Sequence, residues 1–144
     1  MAELLQNSSD KCGNFDWIVD YSQLQVYIQM VLKNIKDSGV SKNALVIGCG
    51  TSTVSEKVAM EDVDVVVSVD YDEGCISHMK NKTMSDITNG KGTNLKKLQW
   101  YVVDMVSSKG FSSYDNTLLA TQSFDLVLDK GTLDAVLVGG VVFN

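Results

Sequence analysis

Short apolar runs that alternate with helical patterns are the feature that most constrains the fold of this chain. Each run is a few residues long, rich in valine, leucine or isoleucine, and bounded by turn residues: "NALVIGCG", "DVVVSVDYD", "LQWYVVDM" and "FDLVLDKG". Such runs are typical of strands that are buried on both faces of a sheet. Helical segments follow the first two runs, in "TVSEKVAMED" and "EGCISHMKNKTMSD". Strands that alternate with helices predict right-handed crossovers, and therefore an α/β fold with a doubly wound, mainly parallel sheet and helices on both faces.

An amphipathic helix is predicted ahead of the first strand, in "DYSQLQVYIQMVLKNIKDSG". Its apolar residues recur at helical spacing, at Leu24, Ile28, Val31, Leu32 and Ile35. Asp20 or Ser22 can cap the start of this helix, and we expect Gly39 to end it. The stretch "ITNGKGTNLKK" before the third strand is expected to be polar, and the stretch "VSSKGFSSYDNTLLATQS" after it is expected to be irregular.

Length and charge restrict both the number of domains and the classes of partner. The chain has 144 residues, of which 44% are hydrophobic, which is enough for one packed core and too little for two ordinary domains. We therefore expect residues 1–144 to form one domain. The net charge is −6, and the basic residues are spread along the chain. A general affinity for nucleic-acid backbones or anionic membranes is therefore not expected.

Cysteine usage and the N-terminal segment favour a reduced, cytoplasmic protein. The three cysteines, Cys12, Cys49 and Cys75, lie far apart, and the chain has one histidine. This pattern predicts neither a disulfide framework nor a metal site. The start "MAELLQNSSDKCGN" has no apolar signal core, and no stretch approaches the roughly 18 to 20 apolar residues of a membrane span.

The four strand ends are where a ligand is expected. In a doubly wound sheet, ligands lie beyond the carboxyl ends of the strands. Those ends are Gly48 to Gly50, Asp70, Asp104 and Asp129. The first is a G-x-G turn, in which glycine lets the backbone approach a ligand closely, although such a turn alone is weak evidence.

The combination of this turn with Asp70 is more specific. Asp70 lies 20 residues beyond Gly50, the spacing at which a strand-end acid accepts hydrogen bonds from ribose hydroxyls. The alternative is that Asp70 only caps the helix that begins near Asp72 or Glu73.

A nicotinamide dinucleotide and S-adenosylmethionine are the two candidate ligands. A dinucleotide site requires a third glycine or alanine, so that the helix can approach the pyrophosphate. Here that position is Thr53, whose branched side chain crowds the approach. S-adenosylmethionine has no pyrophosphate, and Asp104 and Met105 are placed to accept from the adenine amino group and to cover the base.

Five segments resemble one known family: "FDWIVDYSQL", "ALVIGCGTSTVSE", "VVSVDYDEGCISHM", "WYVVDM" and "FDLVLDKGTLDAVL". In that order they resemble the class I S-adenosylmethionine-dependent methyltransferases. Within that class they are similar to the branch that includes methyltransferase-like protein 13, the citrate synthase lysine methyltransferase and the endothelin-converting enzyme 2-like elongation factor 1-alpha lysine methyltransferase. The resemblance covers Phe15 to about Val138, and "DKGTLDA" is its most specific part.

The resemblance implies roles for individual residues. Trp17 and Tyr21 would close over the cofactor. Gly48 and Gly50 would lie under its methionine part. Asp70 and Tyr71 would contact the ribose, and Asp104 and Met105 would contact the adenine. Lys130 would supply a further cofactor contact. Asp129 and Lys130 would lie near the transferring methyl group as the catalytic residues.

The resemblance also implies an activity, which is methyl transfer from S-adenosyl-L-methionine to a protein lysine, with S-adenosyl-L-homocysteine as product. Elongation factor 1-alpha is one acceptor of that family. Asp129 would steer the lysine ammonium toward the methyl group. A non-catalytic cofactor-binding module and a small-molecule methyltransferase remain alternatives, because fold alone does not select the acceptor.

The chain departs from the family pattern after its fourth strand. Full-length relatives resemble a sheet of seven strands, whereas this sequence stops at "VGGVVFN". We therefore expect a truncated form that keeps most of the cofactor site and little of the acceptor site. An unpaired fourth strand would be an exposed sheet edge, which predicts self-association.

Overall fold

The computed structural model describes residues 20–35, 41–107, 111, 117–121, 123–129 and 131–138. Its elements, in chain order, are α1 (Tyr21–Asn34), β1 (Asn43–Ile47), α2 (Val54–Val58), β2 (Val65–Asp70), α3 (Glu73–Thr88), a 3-10 helix (Thr93–Lys97), β3 (Leu98–Val102), α4 (Thr117–Thr121), β4 (Leu126–Asp129) and α5 (Thr132–Val138). All four predicted strands and the three helices predicted from the sequence are present.

The sheet has the strand order β3-β2-β1-β4, and every pair of neighbouring strands is parallel. From β1 the chain crosses outward to β2 and β3, and then returns to place β4 on the other side of β1. Ile47, the last residue of β1, lies opposite both Val69 and Asp129. The predicted parallel α/β architecture is therefore confirmed as a Rossmann-like sheet, and the reversal of strand order between β1 and β4 is the position where such sheets bind ligands.

Two apolar clusters cover the two faces of the sheet. Alternate residues of β1 divide between them, with Ala44 and Val46 on one face and Leu45 on the other. The first cluster packs residues of α1, α2 and α3 against the sheet, among them Ile28, Leu32, Val54, Val58, Ile76 and Met79. The second contains Leu119 of α4, which is fully buried. Helices on both faces explain why the strands are continuous apolar runs instead of alternating ones.

Local hydrogen bonds fix the helix starts near the sheet. Asp20 is the N-cap of α1, as the sequence predicts, and its backbone N–H donates to Gln23 Oε1 at 3.3 Å. Asp72 is the N-cap of α3, and its Oδ1 accepts from the Cys75 backbone N–H at 3.1 Å. The first helix does not extend to Gly39, as we predicted, but ends at Asn34 because Ile35 adopts an extended conformation; Gly39 itself lies outside the described residues.

Two helices differ from the sequence expectation. The five-residue α4 lies in the stretch that we expected to be irregular, and the seven-residue α5 follows β4, where we predicted no helix. Helices of five and seven residues are too short to show a period of 3.6. The contact of Leu119 with the sheet, a tertiary interaction, stabilises α4.

The described segments contain neither a membrane-spanning helix nor a cluster of metal ligands. None of their helices combines the length and the apolar character that crossing a membrane requires. They also contain no group of three or more His, Cys, Asp or Glu side chains arranged to hold a metal ion.

Candidate cofactor site at the carboxyl edge of the sheet

The turn after β1 forms the floor of the site. Gly48 and Gly50 have φ angles of +62° and +51°, a conformation that residues with a Cβ adopt at a cost. Cys49, between them, donates its backbone N–H to the Val69 carbonyl at 3.1 Å and so continues the β1–β2 pairing. A Cβ built at Gly50 would meet no atom within 4 Å. The space beyond this turn is therefore open to a ligand.

Asp70 joins the glycine turn after β1 to the turn after β2. Its side chain is 8% exposed at the end of β2. Oδ2 accepts from the Gly50 backbone N–H at 2.8 Å, and Oδ1 accepts from the Asp72 backbone N–H at 2.9 Å. A carboxylate has about four acceptor positions, so these two bonds leave capacity for the hydroxyls of a ribose. The same carboxylate thus organises the turn and can bind a ligand.

The residues predicted to surround the adenosine lie at the same edge. The Val103 backbone N–H donates to the Asp70 carbonyl at 2.8 Å, which holds the end of β3 beside Asp70. Asp104 follows directly, and its Oδ1 accepts from the Val106 backbone N–H at 2.9 Å. Tyr71 and Met105 are 79% and 36% exposed. Both side chains are therefore accessible to a ligand at this edge.

Asp129 is anchored at the end of β4. Its Oδ1 accepts from the Thr132 backbone N–H at 2.8 Å, and its Oδ2 accepts from the Leu133 backbone N–H at 3.1 Å. Both oxygens therefore cap α5, while the side chain as a whole is exposed. The structure brings Asp129 to the carboxyl edge beside β1, as the sequence predicts. Lys130, predicted to act with it, lies outside the described residues.

Tyr21 contacts α2 and the loop that follows it. Its hydroxyl donates to Glu61 Oε1 at 2.9 Å, and its ring lies 5.5 Å below the Lys57 ammonium. Burial and the neighbouring Glu61 carboxylate raise the pKa of the Tyr21 phenol. A shallow groove is lined by these residues, but their polar atoms already bond one another. Closure of Tyr21 over the cofactor stays a prediction, and its predicted partner Trp17 lies outside the described residues.

The glycine-turn cysteine is a packing residue in this structure. Cys49 is 4% exposed, and neither it nor Cys75 is joined in a disulfide. Burial, together with the Asp70 carboxylate and the Cys75 thiol, raises the pKa of Cys49. The neutral thiol is therefore the stable form next to Asp70, and the negative charge at this turn comes from the carboxylate.

Sequence reasoning did not identify Thr132. Its Oγ1 donates to the Ile47 carbonyl at 3.3 Å. A Cβ built on Gly48 would lie 1.5 Å from the same Thr132 Oγ1. The residue lies within "DKGTLDA", the segment on which the resemblance depends most. A sequence shows that Gly48 tolerates close approach, but it does not show which side chain approaches.

The residues present fit a cationic adenosine ligand. A buried carboxylate lies beside an open glycine turn. Two further acids flank it, since Asp104 lies two residues beyond β3 and Asp129 is the last residue of β4. Carboxylates at short range attract a sulfonium or an ammonium group, and exposed apolar surface at Met105 can cover a base. Sheet and strand ends together define a Rossmann-like domain with a candidate ligand site at the carboxyl edge of the sheet.

Comparison with known proteins places this domain more narrowly. No family model matches the chain. It is 30% identical over 125 residues to EEF1A lysine methyltransferase 4 of Bos taurus, an alignment that covers 87% of this chain. It is 30% identical over 123 residues, or 85% of the chain, to the eEF1A lysine and N-terminal methyltransferase of Mus musculus. It is 29% identical over 134 residues, or 88% of the chain, to the mitochondrial citrate synthase-lysine N-methyltransferase of Pongo abelii.

The chain is therefore a distant homologue of the eEF1A lysine methyltransferases and the citrate synthase-lysine N-methyltransferase, in the class I methyltransferase branch. This confirms the resemblance seen in the sequence. The alignments span 40% of the bovine protein, 14% of the murine protein and 52% of the Pongo abelii protein.

Proposed function

We propose that this chain binds S-adenosylmethionine at the carboxyl edge of its sheet and transfers the methyl group to a lysine side chain of a protein. The observation that carries the proposal is the Asp70 carboxylate, which accepts from Gly50 at 2.8 Å while the space beyond Gly50 is open. The homology to protein-lysine methyltransferases supports the reaction type. The bound cofactor would supply an activated methyl group on a positively charged sulfur.

On the donor side, the chain's own residues would bind and orient the cofactor. Gly48 and Gly50 would form the floor under the methionine moiety, because their backbone can be approached closely. Asp70 would accept from the ribose hydroxyls with Tyr71 beside it, and an acceptor at Asp104 with cover from Met105 would hold the base. Alignment of reactants in this way contributes up to roughly 7 to 11 kcal/mol in favourable cases.

On the acceptor side, Asp129 would steer the incoming lysine ammonium. Its two backbone hydrogen bonds hold the carboxylate in one orientation at an exposed position. A lysine with a reference pKa of about 10.4 must lose its proton before it attacks. Desolvation at the site lowers the pKa of that lysine, and water takes the proton. Lys130 is expected to act beside Asp129.

We propose elongation factor 1-alpha as the acceptor protein, because the first two relatives named above carry it in their own names. The excess of acidic groups, with a net charge of −6, favours a basic acceptor segment over an acidic one. A cytoplasmic location stays a prediction from the sequence, and the citrate synthase relative is mitochondrial by name.

A second candidate is a cofactor-binding module without catalysis. This candidate is favoured because more residues are assigned to the methyl donor than to the acceptor. The donor side has Gly48, Gly50, Asp70 and Asp104. Among the described residues, Asp129 alone is assigned to the acceptor side. Cofactor binding without methyl transfer would support this candidate.

The experiment compares two matched variants of β4. Asp129 ends the strand at the site, while Asp125 precedes it at the opposite edge and accepts from the Asn43 backbone N–H at 2.8 Å. With radiolabelled S-adenosylmethionine and elongation factor 1-alpha, we expect Asp129→Asn to lower methyl transfer about tenfold or more with cofactor affinity retained. Asp125→Asn should keep full transfer. Equal transfer by Asp129→Asn and the wild type would contradict the steering role.

A further inference from the structure

We propose that Thr132 is a positioning residue that ties the glycine turn after β1 to Asp129 at the end of β4. The proposal rests on the proposed function in one respect, which is that the turn serves the methyl donor and Asp129 serves the acceptor. Thr132 would then fix the separation of the two sides of the site. Its role is to hold other groups, since it is not assigned to touch cofactor or substrate.

The side chain of Thr132 makes the first half of the link. Oγ1 donates to the carbonyl of Ile47, the last residue of β1, at 3.3 Å. A Cβ on Gly48 would lie 1.5 Å from this Oγ1 and 2.9 Å from the Cβ of Thr132. The absence of a side chain at Gly48 is thus what admits Thr132 to the turn.

The backbone of Thr132 makes the second half. Its N–H donates to Asp129 Oδ1 at 2.8 Å, while the Leu133 N–H donates to Oδ2 at 3.1 Å. Ile47 and Asp129 are register partners on adjacent strands. One residue therefore bonds the ends of both strands across the position where the strand order reverses.

Such a link predicts coupling in both directions. If the Thr132 hydroxyl restrains the Ile47–Gly48 peptide, its loss should loosen the amides of the turn, which donate to Val69 and Asp70. Conversely, a methyl group at Gly48 would displace the Thr132 side chain and loosen the capping amides of Thr132 and Leu133. A residue that only packs locally would not show this reciprocity.

Amide hydrogen exchange on the full chain without cofactor tests the proposal. We expect Thr132→Val, which keeps the shape and removes the donor, to speed exchange at Cys49 and Gly50 about fivefold, the ratio expected for one lost hydrogen bond. Thr132→Ser should restore the wild-type rates. Gly48→Ala should speed exchange at Thr132 and Leu133 by a similar factor.

Thr88→Val is the matched control. The Thr88 hydroxyl also donates to a backbone carbonyl, that of Met84 at 2.9 Å, but it does so at the exposed end of α3. Its loss should leave exchange at Cys49 and Gly50 unchanged. If Thr132→Val does not fold, Thr132→Ala removes the same hydroxyl without added bulk and is judged in the same way.

Unchanged exchange at Cys49 and Gly50 in the valine or alanine variant would overturn the proposal, as would a serine variant that behaves like the valine one. Titration with S-adenosylhomocysteine then separates this proposal from the proposed function. We expect the affinity to fall about fivefold in Thr132→Val. If the variants show the coupled changes in exchange but the wild-type chain binds no S-adenosylhomocysteine, the positioning role is supported and the methyl-donor site is contradicted.

Discussion

Gly50 donates its backbone N–H to Asp70 Oδ2 at 2.8 Å across 20 positions of sequence. The spacing that the sequence offers as a ribose signature is therefore also a structural contact, in which the acid fixes the shape of the glycine turn. The two interpretations of Asp70, ligand acceptor and local cap, are compatible. Its Oδ1 accepts from the Asp72 backbone N–H ahead of α3, and its two oxygens keep further acceptor capacity for a ligand.

Asp70→Asn is expected to affect both stability and ligand affinity. An asparagine turns one acceptor into a donor, so either the Gly50 or the Asp72 amide loses its partner in a site that is 8% exposed. We expect the free energy of unfolding to fall by about 1 to 3 kcal/mol, measured by urea denaturation, and the affinity for S-adenosylhomocysteine to fall as well.

Asp64→Asn is the control for this prediction. Asp64 lies at the opposite end of β2, is exposed, and accepts from the Lys42 backbone N–H at 2.7 Å. Its replacement should change ligand affinity little. An Asp70→Asn variant with wild-type stability and affinity would contradict the role assigned to this carboxylate.

Glu61 is expected to make stability depend on acidic pH. Burial acts to raise its pKa, but the hydrogen bonds from Gln25, Gln29 and Tyr21 prevail and lower it. A lowered folded-state pKa stabilises the fold above the unfolded-state pKa of about 4.3, and this contribution is lost as the pH falls through the folded-state value. We expect Glu61→Gln to cost about 1 kcal/mol at neutral pH.

That difference should shrink as the pH falls below about 4, which chemical denaturation at a series of pH values can measure. Tyr21→Phe removes one of the three donors and should give an intermediate effect. A difference between Glu61→Gln and the wild type that is independent of pH would show that the carboxylate is not stabilised by these contacts.

Self-association stays a prediction, because β4 lies at an exposed edge of the described sheet. β4 is an edge strand of the sheet formed by the described residues, and Val127 within it is 53% exposed. A lysine on an edge strand disfavours pairing with another strand, so we expect Val127→Lys to reduce association measured by light scattering. Val26→Lys, at a valine that is 60% exposed on α1, should not. A wild-type chain that stays monomeric at high concentration would contradict the prediction.

The sheet and its ligand edge could be predicted because both depend on local patterns. Apolar runs such as "NALVIGCG" identify buried strands, and the β-α alternation brings the acids at their ends to one edge. The spacing of Gly50 and Asp70 then indicated a nucleoside ligand, and the homology bears out the methyltransferase class.

Tertiary contacts could not be predicted from local sequence patterns. The five-residue α4 depends on the burial of Leu119 against the sheet, and five residues contain no measurable period. The contact of Thr132 with Ile47 joins residues 85 positions apart, so no local pattern marks it. Both Asp129 oxygens accept from backbone N–H groups at the start of α5. This capping depends on the path of the backbone after β4, which the sequence pattern does not show.

Calorimetric titration of the full chain with S-adenosylhomocysteine, and in parallel with NAD, tests the central claim most directly. The open glycine turn and the Asp70 carboxylate predict one molecule of S-adenosylhomocysteine per chain, weaker binding by Asp70→Asn, and no measurable binding of NAD. A folded chain that binds neither ligand, or that binds NAD at least as tightly, would contradict the methyl-donor site.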